Sequence, residues 1–175
     1  MIVKAHSEKP IKTMKKSSFE PHINQETQIL ILGSMPGVTS LEAAQYYAHP
    51  RNYFWKIIYN IYQEAYEENY EKRIEFLLSQ KIGLWDVIES CEREGSLDSA
   101  IRSEVPNDFK RLFEMYPNIR LVIFNGAKAY DVFKRKIGFE PYSHIKFVKM
   151  GSTSPARAVS FDQKLKEWEA VLCKR

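Results

Sequence analysis

The stretch that decides the fold runs from Ile29 to Trp55 and reads ILILGSMPGVTSLEAAQYYAHPRNYFW. Its first four residues are aliphatic, which is typical of a strand buried on both faces of a parallel sheet. The next five residues, Gly33-Ser34-Met35-Pro36-Gly37, place two glycines around a proline. They predict a tight turn whose backbone N–H groups a ligand can approach closely. Because loops at the carboxyl ends of such strands carry the active site, residues 33–54 are the predicted site.

Three further apolar runs predict strands at 84–88, 119–124 and 145–150. Helical patterns lie between and after them, so the sequence predicts an α/β fold. The expected architecture is a single three-layer α/β/α domain around a four-stranded, mainly parallel sheet. In such a sheet the loops at one end meet. Four segments are therefore expected to converge on one crevice, namely 33–54, 86–95, 125–128 and 151–157.

The helices are predicted from the spacing of apolar side chains and from capping residues. One runs from Phe54 toward Ala65, and another begins at Pro106-Asn107-Asp108 and reaches Met115. Gly126 is expected to open a helix that ends near Gly138. Apolar residues at helical spacing predict a further helix over 161–172. The Glu-rich stretch 64–75 is interpreted as the solvent face of a helix.

Composition limits the kind of protein. The 175 residues, of which 44% are hydrophobic and 27% charged, fit one soluble domain. Residues 1–18 are predicted to be a basic, flexible tail and 19–175 the folded domain. Two cysteines and the lack of a secretory or membrane-spanning segment favour a cytoplasmic protein. Residues 125–175 hold eleven Lys or Arg against five Asp or Glu, which suggests a polyanion-facing surface or merely solvated helix faces.

Five ordered motifs give the chain a resemblance to a known family. The turn GSMPG and the segment YYAHPRNYFW are followed by GLWDVIESCEREGSLDSAI (83–101), LVIFNGAKAYDVF (121–133) and GSTSPAR (151–157). Together they resemble the uracil-DNA glycosylase superfamily, and within it most the hypoxanthine-DNA (deoxyinosine) glycosylases, relatives of the mismatch-specific glycosylases. The resemblance implies the same fold and hydrolysis of the N-glycosidic bond of a deaminated base, which leaves the DNA stack and enters a pocket.

The catalytic residue is predicted from a departure from the family pattern. Several branches of the superfamily use an Asp or Asn of the first loop to position water, but the matching residue here is Met35. Asn52 is the nearest replacement, since its amide can accept from a water and donate elsewhere. An amide is not a base, so stabilisation of the leaving base would supply most of the catalysis. Alternatively Asn52 is a helix N-cap before Tyr53, and both roles can hold.

The base pocket is predicted from residues that follow the strands. Phe54 resembles the ring that stacks on the flipped base, or else is hydrophobic core. Asp86 stands where the superfamily often places a base-reading amide, or else pairs with Arg93 or caps a turn. Asn125 is expected to read the base edge or to hold neighbouring loops together. The predicted pocket comprises Gly33, Ser34, Met35, Pro36, Gly37, Tyr47, His49, Phe54, Asp86 and Asn125.

The remaining aromatic residues of the first loop leave alternatives open. Tyr46 and Tyr47 either line the pocket mouth or pack inside the domain. His49 could hydrogen-bond a leaving purine, although a histidine beside a proline is more often structural. Trp55 is interpreted as core.

The last motif resembles the loop with which the family grips DNA. Small hydroxyl residues and backbone N–H groups can approach a phosphate closely. Arg157 matches a wedge that fills the space left by the flipped base. A serine-rich loop is otherwise an ordinary start of a helix. The predicted DNA-binding residues are Ser152, Thr153, Ser154, Pro155 and Arg157.

The leading function is thus a monofunctional DNA glycosylase acting on hypoxanthine opposite T or another base. Alternatives are a uracil or mismatch glycosylase and, because of Met35, a non-catalytic lesion-binding protein. A flavodoxin-like nucleotide-binding protein and a serine hydrolase are disfavoured, since GxxxxGK[ST], GxGxxG and GxSxG do not occur. No metal or organic cofactor is expected. The expected partner is double-stranded, or also single-stranded, DNA, bound by a nucleoid-associated monomer.

Overall fold

Residues 15–173, the part of the chain that this computed structural model describes, form seven strands and six α-helices. The strands are β1 (Lys15–Ser17), β2 (Ile29–Gly33), β3 (Ile82–Asp86), β4 (Ile88–Glu92), β5 (Arg102–Pro106), β6 (Leu121–Asn125) and β7 (Lys146–Met150). The helices are α1 (Val38–Ala43), α2 (Phe54–Ile61), α3 (Tyr70–Ser79), α4 (Phe109–Met115), α5 (Ala127–Lys136) and α6 (Phe161–Leu172).

The central sheet has the strand order β3-β2-β6-β7, and every neighbouring pair is parallel. Side chains of a strand alternate between its two faces. Accordingly Leu30 and Leu32 of β2 belong to a core cluster that includes residues of α4 and α5. Ile29 and Ile31 belong to a second cluster, which includes residues of α2, α3 and α6. The predicted three-layer domain with a four-stranded parallel sheet is confirmed.

The predicted strand 84–88 is wrong in its boundaries. β3 ends at Asp86, and β4 begins at Ile88 in a separate antiparallel sheet of order β1-β4-β5. Apolar residues on both sides of Asp86 hide this break, because both strands are buried at the junction. β1 lies inside the segment predicted to be a tail, so the folded part begins no later than Lys15. Residues 1–14 lie outside the described part, and the prediction of a flexible tail is untested there.

Two helix predictions also need correction. α2 ends at Ile61 rather than near Ala65, and residues 64–69 are not helical. A new helix begins at Tyr70, because the Asn69 side chain accepts a hydrogen bond from the N–H of Lys72 at 3.0 Å. The Glu-rich stretch is therefore helical only from residue 70 onward. α4, α5 and α6 match their predictions to within about two residues, the usual uncertainty of helix ends.

Within residues 15–173, no helix is long and apolar enough to cross a membrane.

Candidate active site

A cavity of about 720 Å³ opens at the carboxyl ends of the central strands. Its size is typical of ligand pockets, which enclose about 300–1,000 Å³. It is lined by Gly33 and Asp86, which end β2 and β3, by Asn125, which ends β6, and by 152–157, which follow β7. The predicted convergence of loops is thus confirmed, with 96–98 contributing instead of 87–95. Other predicted residues in the lining are Ser34, Met35, Pro36, Gly37, Tyr47, His49 and Asn52.

The turn 33–37 presents backbone N–H groups to this cavity. The carbonyl of Ser34 accepts from the N–H of Ile88 at 3.1 Å, and the carbonyl of Pro36 accepts from the guanidinium of Arg93. In a trans peptide the following N–H points the opposite way. The N–H groups of Met35 and Gly37 therefore point away from β4, and nothing within residues 15–173 accepts a bond from them. They are free donors in the pocket wall.

Arg93, Ser96 and Asp98 support this turn, and of these only Arg93 had a predicted role, as a partner of Asp86. The Ser34 hydroxyl donates to the Asp98 carboxylate at 2.6 Å, and the Val38 N–H donates to the Ser96 hydroxyl at 2.8 Å. Arg93 itself is only 1% exposed. Only their position could have indicated this role, because these residues come soon after β4 within one of the family motifs.

Asp86 is a buried carboxyl in the cavity wall. Burial raises its pKa to about 7, although a hydrogen bond from the Ser18 hydroxyl, at 2.8 Å, and the charge of Arg93 oppose the rise. The predicted alternative of direct pairing with Arg93 is not found, since no ion pair in residues 15–173 joins the two. A Cβ on Gly33 would lie 2.6 Å from the Asp86 Oδ1, so only glycine allows this close approach.

The aromatic wall of the cavity is Tyr47 rather than Phe54. Tyr47 lines the cavity, and its ring stacks on Phe54 with centroids 4.0 Å apart and planes at 27°. Phe54 is fully buried behind it and does not line the cavity. The sequence-based placement of Phe54 in the pocket wall is therefore wrong, and its core alternative is right. Tyr46 also lines the cavity while packing inside the domain, and Trp55 is core as predicted.

Asn52 and His49 line the same side of the cavity. The Asn52 Oδ1 accepts from the Phe54 N–H at 3.0 Å, so Asn52 bonds the start of α2, although the N-cap position itself is Tyr53. Its Nδ2 has no partner within residues 15–173 and remains available. The His49 Nδ1 accepts from the N–H of Arg51 at 3.1 Å, which places the hydrogen of a neutral ring on Nε2. Nε2 can therefore act as a donor.

Asn125 joins two loops, which is the second of its predicted alternatives. Its Nδ2 donates to the Thr153 hydroxyl and its Oδ1 accepts from the Thr153 N–H, both at 2.9 Å. Lys164 of α6 holds the same loop from inside, donating to the carbonyls of Ser154 at 2.8 Å and Thr153 at 3.4 Å. Lys164 is 1% exposed, and this burial lowers its pKa.

Most backbone N–H groups of the loop 152–157 are bonded within the protein, so hydroxyl groups are its main donors for DNA. The N–H of Ser154 donates to the Ser152 hydroxyl, and that of Ala156 donates to the Ser154 hydroxyl. The hydroxyl hydrogens stay free to donate. Arg157 forms two 2.8 Å hydrogen bonds with the Glu167 carboxylate, so its guanidinium is held on α6 in this structure.

Among residues 15–173, no three His, Cys, Asp or Glu side chains come together in a way that could hold a metal ion. The expectation of a cofactor-free reaction stays a prediction. The groups that the cavity does offer are free N–H donors, one buried carboxyl, an aromatic ring and an amide. Such a set suits a flat, polar heterocycle that stacks on the ring.

Comparison with known proteins gives a consistent result. The family model described as Uracil DNA glycosylase superfamily matches residues 20–174. A hypoxanthine DNA glycosylase of Methanosarcina barkeri is 46% identical over 130 residues, 73% of this chain and 82% of the relative. One from Methanosarcina acetivorans is 40% identical over 161 residues, 90% of this chain and 98% of the relative. The solution structure of a provisionally assigned uracil DNA glycosylase from M. acetivorans is also similar, with a TM-score of 0.76 and 39% identity, covering 91% of this chain and 97% of that one.

Proposed function

This chain belongs to the uracil-DNA glycosylase superfamily, and we propose that it is a monofunctional DNA glycosylase that removes hypoxanthine from deoxyinosine. The reaction breaks the bond from C1′ to N9, joins a water oxygen to C1′ and leaves an abasic site. The base departs with the bonding electrons and takes up a proton. The observation that carries the proposal is the cavity itself, in which a buried carboxyl and free backbone N–H groups surround an aromatic ring. The relatives named hypoxanthine DNA glycosylases support the choice of base.

Base recognition is assigned to Asp86, the pocket turn and Tyr47. Hypoxanthine carries an N1–H donor, which an ionised Asp86 carboxylate can accept. Its O6 and ring nitrogens are acceptors for the N–H groups of Met35 and Gly37. Tyr47 supplies the stacking face, with Phe54 behind it as support. These donors also lie where negative charge develops on the departing base, and donors in such a position lower the barrier.

The attacking water is assigned to Asn52. The side chain of Met35 has no amide or carboxyl group to hold a water, whereas Asn52 lines the cavity with a free Nδ2. Its Oδ1 keeps one lone pair after capping Phe54, so it can still accept from a water. His49, through Nε2–H, is a second donor toward the base or the water.

Contact with DNA is assigned to Ser152, Ser154 and Arg157. The two hydroxyl groups can donate to phosphate oxygens. Arg157 is proposed to leave Glu167 when DNA binds and to fill the space of the flipped base. Thr153 and Pro155 shape this loop rather than donate to DNA, since Thr153 is fully buried with its side chain and N–H bonded to Asn125, and proline has no N–H. In a cell the protein would act in the compartment that holds the DNA, the cytoplasm and nucleoid.

Uracil is the second candidate substrate. Its N3–H can be accepted by Asp86 in the same way, so the carboxyl alone does not separate the two bases. A cavity of about 720 Å³ also has room for the larger purine. Other mismatched bases follow as further alternatives.

The experiment is incubation of the protein with duplexes containing deoxyinosine opposite T or C, or deoxyuridine opposite G, followed by alkali cleavage at abasic sites. We expect strand cleavage at deoxyinosine. The rate should rise through about pH 7 as Asp86 ionises, and this rise should vanish in Asp86→Asn. Cleavage only at deoxyuridine would mean that the base removed is uracil rather than hypoxanthine. Binding without cleavage would identify a lesion-binding protein instead.

A further inference from the structure

Arg93 is a buried cation beside the cavity that forms no ion pair with any carboxylate of residues 15–173. It follows β4 directly and is 1% exposed. Its guanidinium donates instead to two backbone carbonyls of the pocket turn, that of Met35 at 3.5 Å and that of Pro36. A buried, unpaired charge is unfavourable for folding. The fold alone therefore gives little reason for a cation here, and the neighbouring cavity gives one.

The first consequence of this contact is the direction of a backbone donor. Because Arg93 holds the Pro36 carbonyl on the side of β4, the Gly37 N–H of the same peptide points away from it. Pro36 has no N–H, so Gly37 and Met35 are the donors that remain in this half of the turn. The flat guanidinium reaches two carbonyls at once, whereas a lysine ammonium is a single point charge on a flexible stem.

The second consequence is electrostatic. The base leaves with the bonding electrons, so negative charge grows in the cavity during the reaction. A fixed positive charge in a buried environment stabilises that charge more than it would in water. Arg93 already acts on the buried carboxyl of the cavity wall, since its charge lowers the pKa of Asp86 against the effect of burial. The other groups that act on Asp86 are Ser18, Tyr46 and Asp98, and none of these is a cation.

We propose that Arg93 is a positioning residue for base excision, which fixes the pocket turn from behind and sets a permanent positive charge beside the leaving base. The inference rests on the proposed glycosylase function. Asp98 and Ser96 complete the support, since they hold the same turn through Ser34 and Val38. The contacts of Asp98 and Ser96 hold the turn by hydrogen bonds alone and bring no positive charge. Among these three supporting residues, Arg93 is the one that adds a positive charge.

The test compares Arg93→Met, which removes the charge and the fork, with Arg93→Lys, which keeps the charge alone. Single-turnover excision from a deoxyinosine duplex is measured across pH, at a temperature where thermal unfolding shows each variant folded. Binding to a duplex with a tetrahydrofuran abasic-site analogue is measured in parallel. The control is Arg120→Met. Arg120 also donates to backbone carbonyls, those of Pro117 and Ile119, but at the opposite end of the sheet.

We expect Arg93→Met to lower the excision rate by about 100-fold, the size of effect typical of one lost site group. Its rate–pH midpoint should rise by about half a unit or more, because Asp86 loses its neighbouring cation. Arg93→Lys should lose about 10-fold and keep most of the midpoint, because the charge remains. Binding to the abasic analogue should stay within a few-fold of wild type, and Arg120→Met should match wild type throughout.

A wild-type rate and midpoint in Arg93→Met would overturn the inference, as would a lower rate explained by weaker binding with an unchanged midpoint. If the methionine variant does not fold, the lysine variant decides, and wild-type behaviour there overturns the inference. A wild-type protein inert toward deoxyinosine would instead refute the proposed function, and the inference with it. An active wild type with an unaffected Arg93→Met refutes the inference alone.

Discussion

Two measurements on one variant, Asn52→Ala, test the two proposed roles of Asn52 separately. Replacing it by alanine removes the cap on Phe54, which costs about 1 kcal/mol of stability. It also removes the group proposed to hold the attacking water, so excision should fall by at least about 100-fold. Single-turnover rates and urea unfolding measure the two effects. Asn60→Ala is the control, because the Asn60 side chain also bonds the backbone, donating to the Lys56 carbonyl, but lies exposed on α2.

Binding of product duplex should change little in Asn52→Ala. An excision rate close to wild type, with only the stability loss, would mean that Asn52 is a cap and nothing more. In that case His49 would be the next residue to examine, since its Nε2 also faces no partner within residues 15–173.

Asp86 should make stability depend on pH. Its pKa is about 7 in the folded protein and has an ordinary value near 3.8 when unfolded. Between these values the folded protein holds one proton more, so the free energy of unfolding falls as pH rises from about 4 to 7. Asp86→Asn has no carboxyl to ionise at this position, so its free energy of unfolding does not fall in this way. Its stability relative to wild type should therefore improve over that interval, by about 2–4 kcal/mol.

Urea unfolding at several pH values measures this difference. The same substitution at Asp162, which lies exposed in the first turn of α6, serves as the control. If the stability of Asp86→Asn tracks that of wild type between pH 4 and 7, Asp86 is not held protonated in the folded protein.

At the scale of elements, the loop after β7 and helix α6 act as a pair through Arg157 and Glu167. If Arg157 is the wedge, its loss should matter most where flipping is most costly. Arg157→Ala should therefore slow excision strongly when deoxyinosine pairs with C, less opposite a poorly pairing base, and least on single strands. Single-turnover rates on these substrates at two salt concentrations measure the pattern.

A uniform loss on all substrates, with a salt slope reduced by about one charge, would make Arg157 a phosphate contact instead. Glu167→Gln offers a matched test, because it weakens the hold on Arg157 without touching DNA-facing groups. It should leave excision unchanged or faster. The ion pair is partly exposed, so the effect on stability should stay small.

The elements also explain how far the sequence could be interpreted. Ile29–Leu32 is apolar without interruption, so β2, the turn after it and the position of the site were predictable. Asp86 was placed in the pocket by the family resemblance, but the break at Val87 could not be seen, because the residues on both sides of Asp86 are apolar. The pairing of β1 with β4 is a long-range contact, and no local pattern at 15–17 reports it.

Individual contacts were less predictable than elements. Phe54 and Tyr47 are both aromatic residues of one loop, and only the direction of each side chain decides which ring faces the cavity. The contacts of Arg93 could not be predicted, because its partners are backbone carbonyls, which every residue possesses. The contacts of Lys164 could not be predicted for the same reason, since they too are made to backbone carbonyls.

At the scale of the whole molecule, the two sheets should differ in local stability. Residues 30–32 and 122–124 of the central sheet are fully buried, whereas β5 is largely exposed. Amide hydrogen exchange followed by NMR should be slowest in β2 and β6 and faster by about 100-fold or more in β1 and β5. Equal protection in both sheets would mean that the small sheet unfolds only together with the core.

The cavity is assembled from residues far apart in the chain, from Ser18 behind Asp86 to the loop that Lys164 holds in place. A ribosome delivers these parts in order, and domains fold as units once their parts have emerged. While α6 is still inside the exit tunnel, the emerged chain contains Tyr47 and Asp86 but lacks Lys164, which holds the loop 152–157 in place. Such a nascent chain can touch DNA without being able to enclose a base. A chain that ends before Lys164 should therefore be unable to excise the base.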